Sequence, residues 1–136
     1  MSRRALQVVS GLLAVIPVLT GGLTMTGLSD PIYASAGLPP HALLDSNLRF
    51  LGGLWLVAGL AMFWLIPRIE RETALFRTLW LMIFAGGLGR LVSMALVGPP
   101  PWPFIGFTLL EIAGAPLFIA WQARVARSAT PSPRTE

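Results

Sequence analysis

Two ionisable residues, Arg90 and Glu111, lie inside long apolar runs, where they could bind a proton, an anion or each other. Arg90 is seven residues before Val97, where one run ends, and Glu111 is seven residues after Phe104, where the next run starts. At about 1.5 Å per helical residue, each charge would lie about 10 Å inside its helix end. A lone charge near the centre of a membrane helix costs roughly 2.5–3.5 kcal/mol. Equal depth on adjacent antiparallel helices therefore predicts an Arg90–Glu111 ion pair.

Other polar residues are expected in the same outer half of the helices as this pair. Those that could contact a ligand are Arg49, Asn47, Thr20, Thr24, Ser93 and Thr108. One interpretation is a polar pocket, roofed by the long loop Ser29–Asn47, that binds a lipid-like or anionic small molecule. The other is that these groups only hold the helices in register, because polar contacts inside membranes also serve packing. The packing interpretation is slightly favoured, and both stay open.

Motifs for catalysis or metal binding are missing from the sequence. The chain has no cysteine and a single histidine, His41, which argues against disulfides, thiol chemistry and a histidine metal site. No phosphate-binding loop or nucleophile elbow occurs. We therefore expect no catalytic residue, no metal and no cofactor. His41 is interpreted as a solvated loop residue.

The elements that would position the polar residues are transmembrane helices. Of the 136 residues, 54% are hydrophobic and 12% are charged, and the mean hydropathy is +0.71. A soluble domain could not cover so much apolar surface, whereas lipid removes the problem. Four apolar runs are each near the ~20 residues that cross a bilayer, at about 5–28, 48–66, 74–97 and 104–121.

The predicted fold class is therefore all-α, a polytopic four-helix transmembrane bundle. It would form one domain over residues 1–127, followed by a disordered tail over residues 128–136, which has no apolar content to bury. Asp45 or Ser46 is predicted to cap the second long helix. Small residues should bring the helices together, and the predicted set is Gly52, Gly53, Gly59, Gly86, Gly89 and Gly114. The same residues could instead form a homo-oligomer or a contact in a larger membrane complex.

Arginine placement predicts the orientation of the helices. Arg49 alone lies near the ends expected on one side, and eight arginines lie on the other: Arg3, Arg4, Arg68, Arg71, Arg77, Arg124, Arg127 and Arg134. Cytoplasmic loops carry an excess of cations, so both termini should be cytoplasmic. The formal net charge of +4 is thereby explained by topology, without nucleic acid as a partner. The lipid bilayer is the expected partner, in a bacterial inner membrane.

An alternative concerns the N-terminus, where two arginines and an apolar run precede Ala34-Ser35-Ala36. That pattern resembles a cleavable signal peptide, whose removal would leave three spans. Retention is favoured, because the first apolar run is longer than the about 7–15 residues of a signal core.

Several segments together resemble a known bacterial family, called domain of unknown function 4345. They are Asp45–Trp55 (DSNLRFLGGLW), Ala74–Arg77, Gly86–Leu91, Glu111 ahead of Pro116, and Trp121-Gln122. The resemblance covers about Ala5 to Gln122 and implies a small four-span inner-membrane protein, with no activity attached. A looser similarity, at the level of fold alone, relates the chain to DoxX-type four-helix proteins, some of them associated with quinone or redox systems.

Three functions are compatible with this sequence. The first is a non-catalytic membrane component that binds a ligand through Arg49 and Arg90 or supports assembly of a complex. The second is a small dimeric transporter that uses Glu111, comparable in size to small multidrug transporters. The third is a membrane enzyme acting on a lipid or quinone, although no second base is evident. A locked Arg90–Glu111 pair favours binding or structure, whereas an unpaired, titrating Glu111 favours transport.

Overall fold

The apolar runs form helices throughout the computed structural model, which describes residues 2–129. Helix α1 spans Arg3–Thr24, and a 3-10 turn at Gly27–Ser29 leads into the short helix α2, Pro31–Ala34. Helix α3 spans Ala42–Leu65 and continues as a 3-10 turn, Ile66–Arg68. Helix α4 spans Thr73–Leu96, α5 spans Trp102–Leu109, and a π-helical turn at Leu110–Gly114 joins α5 to α6, Ala115–Ala129.

Four of these helical segments are long enough and apolar enough to cross a membrane. They are Arg3–Thr24, Ala42–Arg68, Thr73–Leu96 and Trp102–Ala129. The prediction of an all-α chain with four long apolar helices is confirmed. The helices divide between two compact units, an N-terminal unit of residues 7–67 and a C-terminal unit of residues 68–129 together with residues 2–6.

The start of α3 differs from the prediction. Helix α3 begins at Ala42, well before the predicted span start at Leu48, and its cap is neither Asp45 nor Ser46. His41 caps it instead, because its Nδ1 accepts a hydrogen bond of 3.3 Å from the Leu44 backbone N–H. Residues 42–47, predicted to belong to the loop, thus form the first turns of the helix. The interpretation of His41 as a plain loop residue was incomplete.

The other helix ends shift by a few residues. Helix α1 stops at Thr24 instead of Leu28, and the chain then turns through Gly27, which has a φ of 68°. Helix α6 runs to Ala129, so Ser128 and Ala129, predicted to belong to a disordered tail, are helical. Residues 130–136, which include Arg134, lie outside the described part of the chain.

In the N-terminal unit, α1 and α3 approach each other at glycines. A Cβ added to Gly52 would lie 2.6 Å from the Met25 backbone nitrogen and 2.8 Å from the Gly21 carbonyl oxygen. A Cβ added to Gly59 would lie 2.7 Å from a side-chain carbon of Val18. Seven residues separate the two glycines, so they share one face of α3. Backbone-to-backbone packing of this kind is what membrane helices need when no hydrophobic force drives them together.

In the C-terminal unit, α4 and α6 pack through large side chains. The rings of Trp80 and Phe118 stack at 4.3 Å with an interplanar angle of 9°. The Phe76 ring lies 6.2 Å from that of Trp80, and both Phe76 and Ile69 are fully buried. Trp80 is 3% exposed and is therefore a core residue of this unit.

A wider turn interrupts the last span ahead of Pro116. In a regular α-helix the Pro116 ring would clash with the carbonyl of Ile112, four residues earlier. The π-helical turn Leu110–Gly114 accommodates an extra residue per turn, which relieves that clash. The turn also sets the position of Glu111.

Candidate functional site

Arg90 of α4 and Glu111 of the π-helical turn form an ion pair inside the C-terminal unit. The Arg90 Nε donates a hydrogen bond of 3.2 Å to Oε1 of Glu111 and lies 3.0 Å from Oε2. Oε2 is buried and, despite this short distance, accepts no hydrogen bond from residues 2–129. The carboxylate is the enclosed partner, with its side chain 12% exposed, against 41% for Arg90.

Gly87 is what lets Glu111 come this close to α4. A Cβ added at Gly87 would lie 2.8 Å from the Glu111 Cβ and 3.0 Å from a terminal carbon of Ile112. The predicted packing set includes Gly86 and Gly89 from the same glycine-rich run and does not include Gly87. Its position, three residues before Arg90 and therefore on the same helix face, was the available signal.

The guanidinium of Arg90 is only partly engaged. Its Nε donates a hydrogen bond to Glu111. Its central carbon lies 5.7 Å from the centre of the Phe104 ring, which is a cation–π contact. Among residues 2–129 no group accepts a hydrogen bond from the two terminal nitrogens, Nη1 and Nη2. One edge of the guanidinium is thus fixed by the protein, and the other edge is open. That open edge has the planar, two-donor geometry that binds carboxylates and phosphates.

The other polar residues predicted near this pair have different surroundings. Thr108 is buried, and its hydroxyl donates to the carbonyl of Phe104, 2.9 Å away in the preceding turn. Ser93, one turn beyond Arg90 on α4, is exposed. The hydrogen bond of the Thr108 hydroxyl is therefore made to the backbone of its own helix.

Thr20 and Thr24, in the N-terminal unit, are engaged within that unit. The Thr20 hydroxyl donates to the Ile16 carbonyl at 2.7 Å and accepts from the Trp55 indole N–H at 3.0 Å. Thr24 donates at 3.0 Å to the fully buried carboxylate of Asp30. These contacts tie α1 to α3 and to the connection between them.

The Arg49 guanidinium also forms its hydrogen bonds within the N-terminal unit. It donates to the Asp45 carboxylate at 2.7 Å and to the Met25 carbonyl at 3.1 Å. Asp45 also accepts from the Leu28 backbone N–H at 2.9 Å, so the three contacts close the turn after α1. Asn47 is exposed. The contacts of Arg49 are those of a residue that holds the connection in place.

The predicted packing glycines fall into two groups. Gly52 and Gly59 contact α1, as described above, and Gly114 lies near Trp80, with 3.6 Å between an added Cβ and the indole ring. The remaining predicted glycines would meet nothing within 4 Å if a Cβ were added: Gly53, Gly86 and Gly89.

Gln122 is a buried polar residue that the sequence prediction did not select. It is fully buried on α6, and its Nε2 donates to the Ile69 carbonyl at 3.0 Å and to the Thr73 hydroxyl at 2.8 Å. It thereby ties α6 to the chain segment that enters α4. An amide at the end of an apolar run was the only available signal, and solvated helix ends give the same pattern.

An ion pair also joins the start of α1 to the turn before α4, within the C-terminal unit. The Arg3 Nε lies 2.7 Å from a carboxylate oxygen of Glu70. Burial alone would raise the pKa of Glu70. Hydrogen bonds from its own backbone N–H and from Arg3, with the charges of Arg3 and Arg71, outweigh burial and hold that pKa below its ordinary value.

These features define a class of protein: a small helical chain with four apolar segments of membrane-crossing length and an ion pair between two of them. Residues 5–122 match the family described as Domain of unknown function (DUF4345), and the chain belongs to that family. No curated protein and no solved structure matches the chain. Within residues 2–129, no three histidine, aspartate or glutamate side chains are grouped so that they could hold a metal ion.

Proposed function

We propose that the chain is a multi-pass protein of the bacterial inner membrane that binds an anionic ligand, without catalysis, at Arg90. The proposal rests on one observation, the half-engaged guanidinium of Arg90. Its Nε edge is fixed by Glu111, whereas Nη1 and Nη2 have no acceptor among residues 2–129. The ligand class is a carboxylate or phosphate carried by an amphiphile or small molecule.

The orientation in this proposal follows from the arginines. In the C-terminal unit, arginines are grouped at the end where α4 starts and α6 finishes, and the contact between Arg3 and Glu70 brings the start of α1 to that same end. The excess of cations supports a cytoplasmic location for this end and for both termini. Arg90 then lies in the outer half of the bilayer.

Physical chemistry favours an anion at this position. A charge-assisted hydrogen bond in a low-dielectric setting is stronger than the same bond in water. Glu111 neutralises Arg90 when no ligand is present, so the empty site avoids the full cost of a lone charge. Phe104, which lies against the guanidinium, offers an apolar surface to the rest of an amphiphile. Glu111 and Phe104 are thus positioning residues for Arg90.

The test measures binding of decyl phosphate to the detergent-solubilised chain, with decyl phosphocholine as the probe of matched chain length and no net charge. We expect decyl phosphate to raise the thermal unfolding midpoint saturably and decyl phosphocholine to raise it far less. Arg90→Gln should weaken binding about tenfold to a hundredfold, since hydrogen bonds to charged groups are worth about 1.5–3 kcal/mol.

The matched control is Arg49→Gln. Arg49 already donates to Asp45 and Met25, so its loss should leave the ligand-induced shift unchanged even if the starting midpoint falls. Equal shifts in the wild type and in Arg90→Gln would refute the proposed site. Loss of the shift in Arg49→Gln alone would move the site to the N-terminal unit.

A second candidate function, proton-linked transport through Glu111, is favoured by the π-helical turn. Such turns are often found at functional sites, and here one carries a buried carboxylate whose Oε2 accepts no hydrogen bond from residues 2–129. In proteoliposomes with an internal pH dye, this function predicts proton flux that Glu111→Gln abolishes and Glu111→Asp retains. Absence of flux in the wild type leaves ligand binding as the better proposal.

A further inference from the structure

An apolar groove runs between α4 and α6 in the C-terminal unit. Its volume is about 360 Å³, and its walls include Leu81 and Phe84 from α4 and Pro116, Ala120 and Ala123 from α6. The small alanines of α6 leave the space open, and the lining offers almost no polar atoms. A slot of this kind fits a hydrocarbon chain.

Arginines lie at one end of the groove and on the same helix faces as its walls. Arg77 is four residues before Leu81 and seven before Phe84, so the three side chains share one face of α4. The same holds on α6, where Arg127 follows Ala123 by four residues and Ala120 by seven. At about 1.5 Å per residue, each arginine is about 6 Å beyond the nearest lining residue.

These arginines are available to a ligand. The side chains of Arg77, Arg124 and Arg127 are exposed, and none forms an ion pair or a hydrogen bond with any other residue in 2–129. At that end of the unit Glu70 is already paired with Arg3. An arginine side chain there can extend to the level of lipid phosphates while its carbon stem stays in apolar surroundings. This end of the C-terminal unit therefore carries an excess of positive charge beside the apolar groove.

We infer that this groove binds one anionic phospholipid, with an acyl chain between α4 and α6 and its phosphate held by Arg77 and Arg127. Two features of the site make this a specific assignment. The apolar walls select a chain, and the uncompensated arginines at the mouth select an anionic headgroup over a zwitterionic one. The site is separate from Arg90, which lies near the opposite end of α4, so it rests on the proposed membrane location but not on ligand binding at Arg90.

The test is native mass spectrometry of the full chain released from nanodiscs that contain phosphatidylglycerol and phosphatidylcholine of the same acyl composition. We expect the wild type to retain one phosphatidylglycerol in preference to phosphatidylcholine. Arg77→Gln and Arg127→Gln should each lower that preference about fivefold, from the value of one cation near an anionic surface. Arg71→Gln removes the same charge from the turn before α4, off the lining helices, and should leave the preference unchanged.

A groove-filling variant tests the acyl slot. Ala120→Trp should reduce retention of the lipid itself, whereas Ala95→Trp, at an exposed position near the far end of α4, should not. If Ala120→Trp fails to fold, the comparison of the arginine variants with Arg71→Gln decides alone. An unchanged preference in the Arg77→Gln/Arg127→Gln double variant would overturn the inference. So would a dimer that Ala120→Trp converts to a monomer, because a second copy would then occupy the groove.

Discussion

Gly87 faces the Cβ of Glu111 so closely that an added carbon would lie 2.8 Å away from it. The contact brings the π-helical turn against α4, and Arg90 lies one turn further along the same face of α4. The ion pair and the close packing are therefore two consequences of one approach between helix backbones.

A first prediction is that Gly87→Ala destabilises the protein. The added methyl would meet the Cβ of Glu111, which is attached directly to the backbone, and side-chain carbons of Ile112. Overpacking of this kind typically costs about 1–3 kcal/mol. The measurement is unfolding in mixed micelles of increasing SDS content, followed by tryptophan fluorescence. Gly86→Ala and Gly89→Ala are matched controls, because an added Cβ meets nothing within 4 Å at either position. Those controls should be neutral or slightly more stable, since alanine favours helix over glycine.

A second prediction concerns the coupling between Arg90 and Glu111. Arg90→Ala and Glu111→Gln should each lower stability, and the double variant should lose less than the two losses added together. Removal of either partner leaves the other charge or its hydrogen bonds unmatched, so the second removal costs less. The expected interaction free energy is about 0.5–3 kcal/mol, the usual range for contacting pairs. Additive losses in the same SDS titration would mean that the 3.0 Å contact contributes nothing to stability.

A third prediction is a pH-dependent contribution from Arg3 and Glu70. The pKa of Glu70 is lowered in the folded chain, so protonation of Glu70 favours unfolding. The stabilisation should be complete above the ordinary glutamate pKa of about 4.3. It should disappear as the pH falls through the lower pKa of the folded protein. Because Arg3 is 47% exposed, the contribution should be at most about 1 kcal/mol.

The check is the difference in unfolding free energy between the wild type and Glu70→Gln, measured from pH 7 down to pH 3. That difference should shrink with acidification and with added salt, which screens exposed charges. Arg3→Gln should remove the same contribution. A difference that stays constant over this pH range would show that the amide variant acts through packing, and that the charge of Glu70 is not the cause.

The parts of the structure that follow from local sequence were accessible to prediction. Apolar runs of span length predicted the four long helices. Arg90 and Glu111 were predicted to pair because they lie equally far from the ends of two helices that a short turn connects. In the structure they lie 3.0 Å apart. Helix length and depth depend only on spacing along the chain, and a short connection between antiparallel helices leaves little freedom. These features need no knowledge of how helix faces are rotated.

Helix rotation and local backbone geometry could not be derived in this way. Which glycine of Gly86, Gly87 and Gly89 faces the π-helical turn depends on how α4 is rotated, and the turn itself is a response to Pro116. The polar atoms of Thr20 and Arg49 were assigned to a possible pocket because the sequence does not show their partners. In the structure those partners are Trp55 and Asp45. Hydrogen bonds between distant segments appear only after the segments have packed.

A final prediction tests the cap of α3, where sequence and structure disagree. His41→Ala should lower stability by about 0.5–2 kcal/mol, the usual cost of removing a side chain that accepts from the first turn of a helix. His41→Asp should restore that loss, because aspartate is a strong N-cap and its charge suits the helix N-terminus. Ser46→Ala, at an exposed position that the sequence suggested as a cap, should change stability by less than about 0.5 kcal/mol. Amide hydrogen exchange at Leu44, whose N–H the His41 ring accepts, reports the cap directly. Faster exchange there in His41→Ala but not in Ser46→Ala would establish that α3 starts at Ala42, and the reverse pattern would return its start to the predicted position.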